Sequence, residues 1–292
     1  MTRFLYIADT HLGACPMGYQ QQKGYPEKLP EILAAVKDCL ATDNRIAFVL
    51  HGGDMIDAVT DRNITAAVKA FDLPVPVYLC LGNHDLGAPD ALGRWLALAP
   101  GFFRQGRPEY SIGTDQCVIH VAPNHWEARP YYWKTKQHAH FSAGQLARLA
   151  DGLRLKPRLP HFIVTHSPVY GLPVEQTGFA EPFHPPDEAF TAAMTALAAQ
   201  HGNLQCVLGA HNHLNSCVEN QGVHFVTASA LAETPFELKL FEVATGTITM
   251  STLSLASRVG GAAAYDDGKA FVQGRPVDRM FCRPVRHRDS LP

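Results

Sequence analysis

Five short clusters of Asp, Asn and His stand out in the chain, and each directly follows an apolar run. Their side chains offer carboxylate and amide oxygens and imidazole nitrogens, a ligand set that suits Zn, Fe, Mn or Co rather than a thiolate cluster. The clusters are Asp9-Thr10-His11, Gly53-Asp54, Gly82-Asn83-His84-Asp85, Thr165-His166 and Gly209-Ala210-His211-Asn212-His213. These residue types predict a metal-dependent enzyme.

The runs before the clusters are short, apolar and rich in β-branched or aromatic residues. They cover residues 3–8, 46–50, 75–81, 162–164 and 206–208. Such runs between helical stretches are typical of buried strands in an α/β sheet, where ligands bind beyond the carboxyl ends of the strands. A single His or Asp in such a place is usually a structural or capping residue. Five clusters at five strand ends favour one shared site.

Helical and strand-like patterns alternate along the rest of the chain. Helices are predicted at residues 32–40, 91–99, 142–153 and 186–200. Ser142 is the predicted N-cap of the third helix, and Pro186 is placed in the first turn of the fourth. Later strands are predicted at residues 223–227, 238–243 and 247–250.

Length and composition indicate a soluble globular protein. The chain has 292 residues, of which 46% are hydrophobic and 18% charged. Because the clusters are spread from residue 9 to residue 213 without a linker, we predict one catalytic domain over residues 1–255 and a C-terminal extension over residues 256–292. The net charge of −2 gives no strong attraction for polyanions.

The C-terminal extension differs in composition from the domain before it. A Gly- and Ala-rich stretch at residues 260–264 is followed by five arginines, which are Arg275, Arg279, Arg283, Arg286 and Arg288. We favour packing on its own domain or on a partner subunit, and a homo-oligomer is possible. A nucleic-acid arm is the less favoured alternative.

The cysteines and the hydropathy pattern favour the cytoplasm. The seven cysteines are odd in number and scattered, and several lie in apolar runs, which is typical of small buried hydrophobes rather than disulfides. No apolar run reaches the length of a membrane span, and the first residues enter the first predicted strand without a signal-peptide pattern. Cys15, close to the first cluster, is interpreted as a loop thiol.

The five clusters read together as D-x-H, G-D-x-x-D, G-N-H-D, a lone H and G-x-H-x-H. This pattern resembles the calcineurin-like metallophosphoesterase superfamily from about residue 3 to about residue 250. One position departs from the family pattern, because Ala210 stands where the family commonly has its first His, so that His211 and His213 form the H-x-H pair. The resemblance implies a four-layer α/β/β/α sandwich, in which two β-sheets pack face to face with helices outside.

The resemblance also implies two divalent metal ions, such as Mn, Fe, Zn or Co. Two adjacent cations repel each other, and a bridging carboxylate lessens this repulsion and sets their spacing. Asp54 is the predicted bridge. The resemblance assigns Asp9, His11 and His213 to one metal and Asn83, His166 and His211 to the other.

Two further residues receive catalytic roles from the resemblance. A hydroxide held between the two metals is the expected nucleophile, so no Ser or Cys nucleophile is required. His84 is expected to act on the substrate, either on the phosphoryl oxygens or on the leaving group. Asp57 is expected to orient His84, and a helix cap or a salt bridge is an equal alternative for it. Asp85 is interpreted as a turn residue.

The sequence says less about the substrate. The aromatic segment 123–133 is expected either to line a pocket or to cover the core, and segment 19–25 is a similar candidate. The other histidines are interpreted as structural, including His51, His120, His138, His140 and His224.

Several functions stay open. The leading hypothesis is a phosphodiesterase acting on a small diester, such as a cyclic nucleotide or a glycerophosphodiester, with a phosphomonoesterase as the alternative. Residues 9–13 also resemble the opening of the family's DNA nucleases, which carry an additional DNA-binding region that this near-neutral chain lacks. A binding module that has lost catalysis should lack some ligands, and here every expected ligand is present.

Overall fold

The computed structural model describes residues 1–261 and 263–286, and it contains two six-stranded sheets. The first sheet consists of β1 (Thr2–Ile7), β2 (Ile46–His51), β3 (Val77–Leu79), β10 (Glu237–Ala244), β11 (Thr247–Ser254) and β12 (Met280–Pro284). Its order is β12-β11-β10-β1-β2-β3. The neighbours β1, β2 and β3 run parallel, and the other pairs are antiparallel.

The second sheet repeats this mixed arrangement. It consists of β4 (Tyr110–Gly113), β5 (Val118–Val121), β6 (His161–Val164), β7 (Leu204–Gly209), β8 (Ser216–Asn220) and β9 (Val223–Thr227). The order is β4-β5-β6-β7-β9-β8, with parallel pairing from β5 through β6 and β7 to β9. Each sheet therefore has parallel strands whose carboxyl ends lie at the same end of the sheet.

Helices occupy the connections between the strands. They are α1 (Leu29–Thr42), α2 (Asp61–Ala70), α3 (Ala91–Leu98), α4 (Ala143–Arg154), α5 (Val174–Thr177), α6 (Glu188–Gln200) and α7 (Pro276–Arg279). Apolar side chains of α1, α2 and α3 belong to the same buried cluster as the first sheet, and those of α4 and α6 join the outer face of the second sheet.

Aromatic side chains fill the space between the two sheets. The Phe4 ring stacks on those of Phe48 and Phe241 of its own sheet, at 5.2 and 5.0 Å, and meets Phe162 of the second sheet edge-on at 5.9 Å. Phe162 faces this inner core, whereas the next residue, Ile163, packs with α4 and α6, as expected from the alternation of side chains along a strand. This face-to-face packing with helices outside confirms the predicted four-layer sandwich.

Helix starts follow local capping chemistry. Ser142 caps α4 as predicted, because its hydroxyl accepts a hydrogen bond from the Gln145 N–H and the Gln145 side-chain oxygen accepts one from the Ser142 N–H. The prediction of Pro186 in the first turn of α6 was wrong. The Asp187 carboxylate accepts from the N–H groups of Ala189 and Phe190 as the N-cap, and the helix begins at Glu188, two residues after Pro186.

Most strands in the middle of the sheets were predicted, with the exception of β5, and three of the four edge strands were not. The strand predicted at residues 75–81 is shorter, covering Val77–Leu79. Strands β4, β5, β8 and β12 were not predicted, and three of them pair on one side only. An edge strand is buried less completely, so its sequence shows a weaker apolar pattern.

The C-terminal extension packs on the rest of the chain. Its strand β12 pairs antiparallel with β11, with Met280 opposite Ser251, and so forms an edge of the first sheet. The boundary at residue 255 stays a prediction, and Arg288 lies outside the described residues. Among the residues that are described, no helix combines the length and the apolar character that crossing a membrane requires.

Candidate metal centre

The five predicted clusters meet at one edge of the sandwich. Asp9, Asp54 and Asn83 follow strands of the first sheet, whereas His166 and His211 follow strands of the second. Residues of four clusters line one cavity of about 370 Å³, whereas Asp9 and His166 are fully buried and do not line it. The predicted site residues that line this cavity are His11, Asp54, Asn83, His84, His211 and His213.

The candidate ligands form two groups. The ligand atoms of Asp9, His11 and His213 lie within 4.8 Å of one another, and so do those of Asp54, His166 and His211. In the first group His11 Nε2 is 3.3 Å from His213 Nε2, which is 3.7 Å from Asp9 Oδ1. His11 also belongs to a third such set with Asp57 and His84, and the division of the ligands between two metals stays a prediction.

Asp54 lies between the two groups. Its Oδ2 is 3.2 Å from His166 Nε2 in one group and 3.9 Å from His11 Nε2 in the other. Its Oδ1 accepts a hydrogen bond from the backbone N–H of His84 at 2.8 Å. A single carboxylate in this position can reach both groups.

Several candidate ligand atoms at the centre make no hydrogen bond of good geometry with the protein. Asp9 Oδ1, Asn83 Oδ1 and His166 Nε2 are buried and make no well-aligned hydrogen bond within the described part of the chain, although His166 Nε2 lies 3.2 Å from Asp54 Oδ2. Leaving such a buried atom unsatisfied costs roughly 1–3 kcal/mol. Oxygen and imidazole nitrogen atoms that converge in this way fit divalent transition metals.

Hydrogen bonds to the far ring nitrogens orient the imidazoles. His166 Nδ1 donates to the Gly52 carbonyl oxygen at 2.8 Å, and His213 Nδ1 donates to the Glu233 carboxylate. Since carbonyl and carboxylate oxygens only accept, Nδ1 carries a proton in both rings, and in the singly protonated ring Nε2 has a lone pair that points toward the centre.

The backbone at the site adopts a rare conformation. Asp9, His11, Asp54, His211 and His213 have φ between 43° and 66°, and they make up five of the eleven non-glycine residues with positive φ in the described ranges. Such residues persist only where the surroundings enforce them, and they gather at functional sites. Close packing adds a further constraint, because a Cβ at position 53, where φ is 114°, would come within 2.8 Å of the Gly82 nitrogen.

The charges of the cluster depend on one another. Burial opposes the protonation of His166, but the Asp54 carboxylate raises its pKa to about 9. Burial likewise opposes the charging of His213, and the carboxylates of Glu233 and Asp9 raise its pKa to about 9. Burial would raise the pKa of Asp54, but His166 and His84 hold it well below its usual range. The centre therefore holds anionic oxygens that attract cations.

His84 stands beside the two groups on the cavity wall. Its Nδ1 donates to the backbone carbonyl oxygen of Asp57 at 2.8 Å, while the nearest carboxylate oxygen of Asp57 is 3.6 Å away. That carboxylate lies closer to His11 Nδ1, at 3.4 Å. Asp57 thus contacts both imidazoles, and its main chain makes the closer contact with His84.

A family model covers most of this architecture. Residues 2–215 of the chain match the model of the calcineurin-like phosphoesterases. The chain belongs to this family. Its members typically bind two divalent metals, and the two groups of Asp and His side chains agree with this property.

Solved structures of the same fold are only distantly similar in sequence. A dimetal phosphatase from Danio rerio has a TM-score of 0.68 at 17% identity, covering 87% of this chain and 96% of that one. GAP50, the anchor in the inner membrane complex of Plasmodium, has a TM-score of 0.60 at 12% identity, covering 91% and 87%. A putative 5'-nucleotidase from Staphylococcus aureus has a TM-score of 0.52 at 13% identity, covering 97% of this chain and 54% of that one. At these identities the likeness shows the fold alone. A comparison with curated protein sequences found no match.

Three further buried polar residues of this calcineurin-like phosphoesterase support the site, although the sequence predicted no role in it for them. Asp85, interpreted from the sequence as a turn residue, accepts from the N–H groups of Ile56 and Gly82 at 3.1 and 2.9 Å, and burial raises its pKa to about 7. Asn124 Oδ1 accepts from the His166 N–H at 3.0 Å. Glu233 is the third of these residues. Asp85 belongs to the G-N-H-D motif, whereas no motif marks Asn124 or Glu233 in the sequence.

Aromatic rings form the upper wall of the phosphoesterase cavity. Trp133 lines the cavity with its ring 5.1 Å from that of His84, and Tyr19 lines it with its ring 5.2 Å from that of His213. Trp126 is buried instead, 4.9 Å from the His211 ring. The aromatic segment 123–133 thus serves in both of the ways that its sequence left open. His138 also lines the cavity, although the sequence analysis interpreted it as structural.

Proposed function

We propose that the chain is a dinuclear-metal phosphoester hydrolase that prefers small diesters. The observation that carries this proposal is the convergence of unpartnered, buried oxygen and nitrogen atoms on either side of Asp54, beneath a cavity that also presents His84. The described structure brings these atoms together at a cost in desolvation and backbone strain, which a bound metal pair would offset.

Each candidate ligand has a place in the proposed centre. Asp54 would be shared by both metals, because it reaches both groups of imidazoles. The remaining ligands would divide as Asp9, His11 and His213 for one metal and Asn83, His166 and His211 for the other. When bound, two divalent ions supply positive charge for a phosphoryl group and lower the pKa of a water molecule toward neutrality.

His84 would act on the substrate. Its Nδ1 hydrogen bond to the Asp57 carbonyl leaves Nε2 as the nitrogen that is free to face the cavity. In the protonated ring Nε2 can donate a proton to a leaving alkoxide or a hydrogen bond to a phosphoryl oxygen. Asp57 would support the ring position through its main chain and through its contact with His11.

The charge of the cavity wall supports a diester. Among the described residues that line the cavity there is no Lys or Arg, and histidines are the only protein groups that can become cationic. A phosphate monoester carries up to one more negative charge than a diester, and the wall offers no fixed cation for it. Tyr19 and Trp133 provide apolar surface for an ester substituent. A wall without basic residues also disfavours a nucleic-acid substrate.

Activity assays with two chromogenic esters would test the proposal. The protein is stripped of metal, reloaded with Mn, Fe, Co or Zn, and assayed with bis-p-nitrophenyl phosphate and p-nitrophenyl phosphate. We expect faster turnover of the diester, and no turnover by the Asp54→Ala variant prepared in parallel. A faster monoester rate would instead favour the phosphomonoesterase.

The alternative from a different functional class is a binding protein that keeps this fold but has lost catalysis. The anchor described for Plasmodium shows that proteins of this fold can have other roles, and function follows from the site rather than the fold. Here the complete set of candidate ligands supports catalysis. A metal-loaded protein inert toward both esters and toward cyclic nucleotides would contradict our proposal. A cytoplasmic location also remains our proposal, which the seven free cysteines support.

A further inference from the structure

Glu233 joins the candidate metal centre to another part of the cavity. It lies between β9 and β10 and is 2% exposed. One carboxylate oxygen contacts His213 Nδ1, and the other accepts from the backbone N–H groups of Gln21 and Gln22 at 3.0 and 2.7 Å. One oxygen therefore contacts a candidate metal ligand, and the other holds the backbone of residues 21 and 22.

The backbone that Glu233 holds belongs to residues 19–25, which form part of the cavity wall. We call these residues the Tyr19 segment. Tyr19 lines the cavity, and its hydroxyl is 2.8 Å from Nε2 of His184, another lining residue. The Gln21 side chain donates to the same hydroxyl. The position of Tyr19 thus depends on the backbone that Glu233 holds.

Further main-chain bonds keep the Tyr19 segment beside the loop that carries Glu233. Tyr25 N–H donates to the Ala232 carbonyl oxygen at 2.8 Å, and Thr234 N–H donates to the Lys23 carbonyl oxygen at 3.0 Å. A shift of either segment would be transmitted to the other, because both lie within one hydrogen-bonded pair of loops.

We propose that Glu233 is a positioning residue that couples metal binding at His213 to the placement of the Tyr19 segment on the cavity wall. This inference rests on the proposed function in one respect, since the ion at His213 is one of its two metals. The coupling itself concerns metal binding and loop order, not catalysis.

The physical basis is the number of donors that meet at Glu233. Three N–H groups point at the two oxygens, and a carboxylate can accept from all of them. An amide would turn its NH₂ toward another donor and lose at least one bond. The negative charge also strengthens His213 as a ligand, and loss of such a partner typically weakens metal binding by roughly 10–100-fold. Coupling is reciprocal, so a bound metal should also hold the Tyr19 segment more firmly.

Limited trypsin digestion reports the order of the Tyr19 segment, because Lys23 within it is exposed. Arg158, an exposed residue in the loop after α4, is followed by Leu159 and serves as an internal reference site outside the Tyr19 segment. Cleavage after each residue is followed by mass spectrometry with and without Mn²⁺. In the wild-type protein we expect Mn²⁺ to slow cleavage after Lys23 at least severalfold and to leave cleavage after Arg158 nearly unchanged. Equal protection at both residues would indicate global stabilisation and overturn the inference.

The Glu233→Gln variant tests the residue directly. We expect one of two Mn²⁺ sites to weaken by roughly tenfold or more in calorimetric titration, and protection of Lys23 by metal to be lost. Glu237→Gln is the matched control. Glu237 is also buried, but it binds Arg279 and Asn215 rather than a candidate ligand, so its loss should lower the Tm and leave metal affinity unchanged.

The outcomes separate this inference from the proposed function. Wild-type metal affinity in Glu233→Gln, or the same loss of affinity in Glu237→Gln, would overturn the coupling. A wild-type protein that binds metal with the predicted protection of Lys23 but hydrolyses no phosphoester would overturn only the proposed function. A wild-type protein that binds no metal would overturn both.

Discussion

At the scale of single residues, the candidate centre depends on which atom each side chain leaves free. His166 and His213 use Nδ1 for hydrogen bonds to Gly52 and Glu233, and only Nε2 remains for a metal. Asn83 presents a buried, unpartnered amide oxygen, a ligand that adds no negative charge. A conservative substitution would therefore change the chemistry even where it preserves the packing.

Asp54→Ala should remove both metals together. Asp54 is the candidate ligand that reaches both groups, so its loss removes the shared carboxylate and leaves two cations without a bridge. Elemental analysis after gel filtration measures the metal content. Two tightly bound metals in the variant would contradict the bridging assignment.

His84→Ala should separate catalysis from metal binding. Its backbone N–H, which binds Asp54, is retained in the variant, so two metals should stay bound while turnover falls by roughly 10²–10⁴-fold. The defect should be larger for alkyl diesters than for p-nitrophenyl esters, because p-nitrophenolate leaves without a proton. Equal defects would instead favour stabilisation of the phosphoryl oxygens, and loss of a metal would show that His84 is a ligand.

At the scale of elements, polar side chains connect neighbouring strands and loops. Asp85 ties the loop after β2 to the loop after β3, and Asn124 ties the segment after β5 to the segment after β6. Farther from the centre, Ser111, His120 and His161 form a chain of hydrogen bonds across β4, β5 and β6, at 2.8 and 2.9 Å. The neutral form of the histidines suits this chain, because each ring then donates through one nitrogen and accepts through the other.

The buried pair of histidines predicts loss of stability in acid. Burial lowers the pKa of His120 to about 4, below the roughly 6.5 expected in the unfolded chain. The free energy of unfolding should be unaffected by this group above about pH 6.5 and fall by about 1.4 kcal/mol per pH unit between about pH 6.5 and pH 4. Urea unfolding of the metal-free protein measures this slope. The His120→Gln variant should show a shallower slope over that window, and an identical slope would contradict the prediction.

At the scale of the whole molecule, the C-terminal segment connects the two sheets. Asp278 of α7 is fully buried and accepts from the Cys217 N–H of β8 at 2.8 Å. The neighbouring Arg279 binds Glu237 of β10, and Lys239 of β10 donates to the Asp278 carbonyl oxygen at 3.2 Å. The segment that was predicted to be an extension is therefore held by buried polar contacts with both sheets.

Asp278→Ala should destabilise the whole chain. It removes a buried carboxylate that pairs with the Arg275 guanidinium at 2.9 Å and leaves the Cys217 N–H unpaired. Because the Arg275 side chain is 30% exposed, we expect the larger part of the loss to come from the unpaired buried N–H, which costs roughly 1–3 kcal/mol. Denaturant unfolding followed by circular dichroism measures the loss. Asp267→Ala in the same segment, where the side chain is exposed, should change stability by less than about 0.5 kcal/mol.

The success of the sequence predictions followed the strength of the local signal. Strands β1, β6 and β7 are buried along their length, β2 is buried except at Ala47, and the Ser142 cap has a short-range pattern. The edge strand β12 and the start of α6 at Asp187 lacked such signals. The first depends on pairing with β11, and the second on which of several polar residues the chain uses as its cap.

The sequence by itself determined the family, the fold class and the identity of the candidate ligands, because strand-ending Asp, Asn and His residues leave a pattern within a few positions of each other. Only the tertiary structure decided what supports those ligands. Glu233 contacts Gln21 across 212 positions of sequence, and Asp85 meets Ile56 across 29. Such contacts depend on how loops from different strands meet, and their geometry, unlike a hydrophobic period or a helix cap, is not encoded by the spacing of residues along the chain.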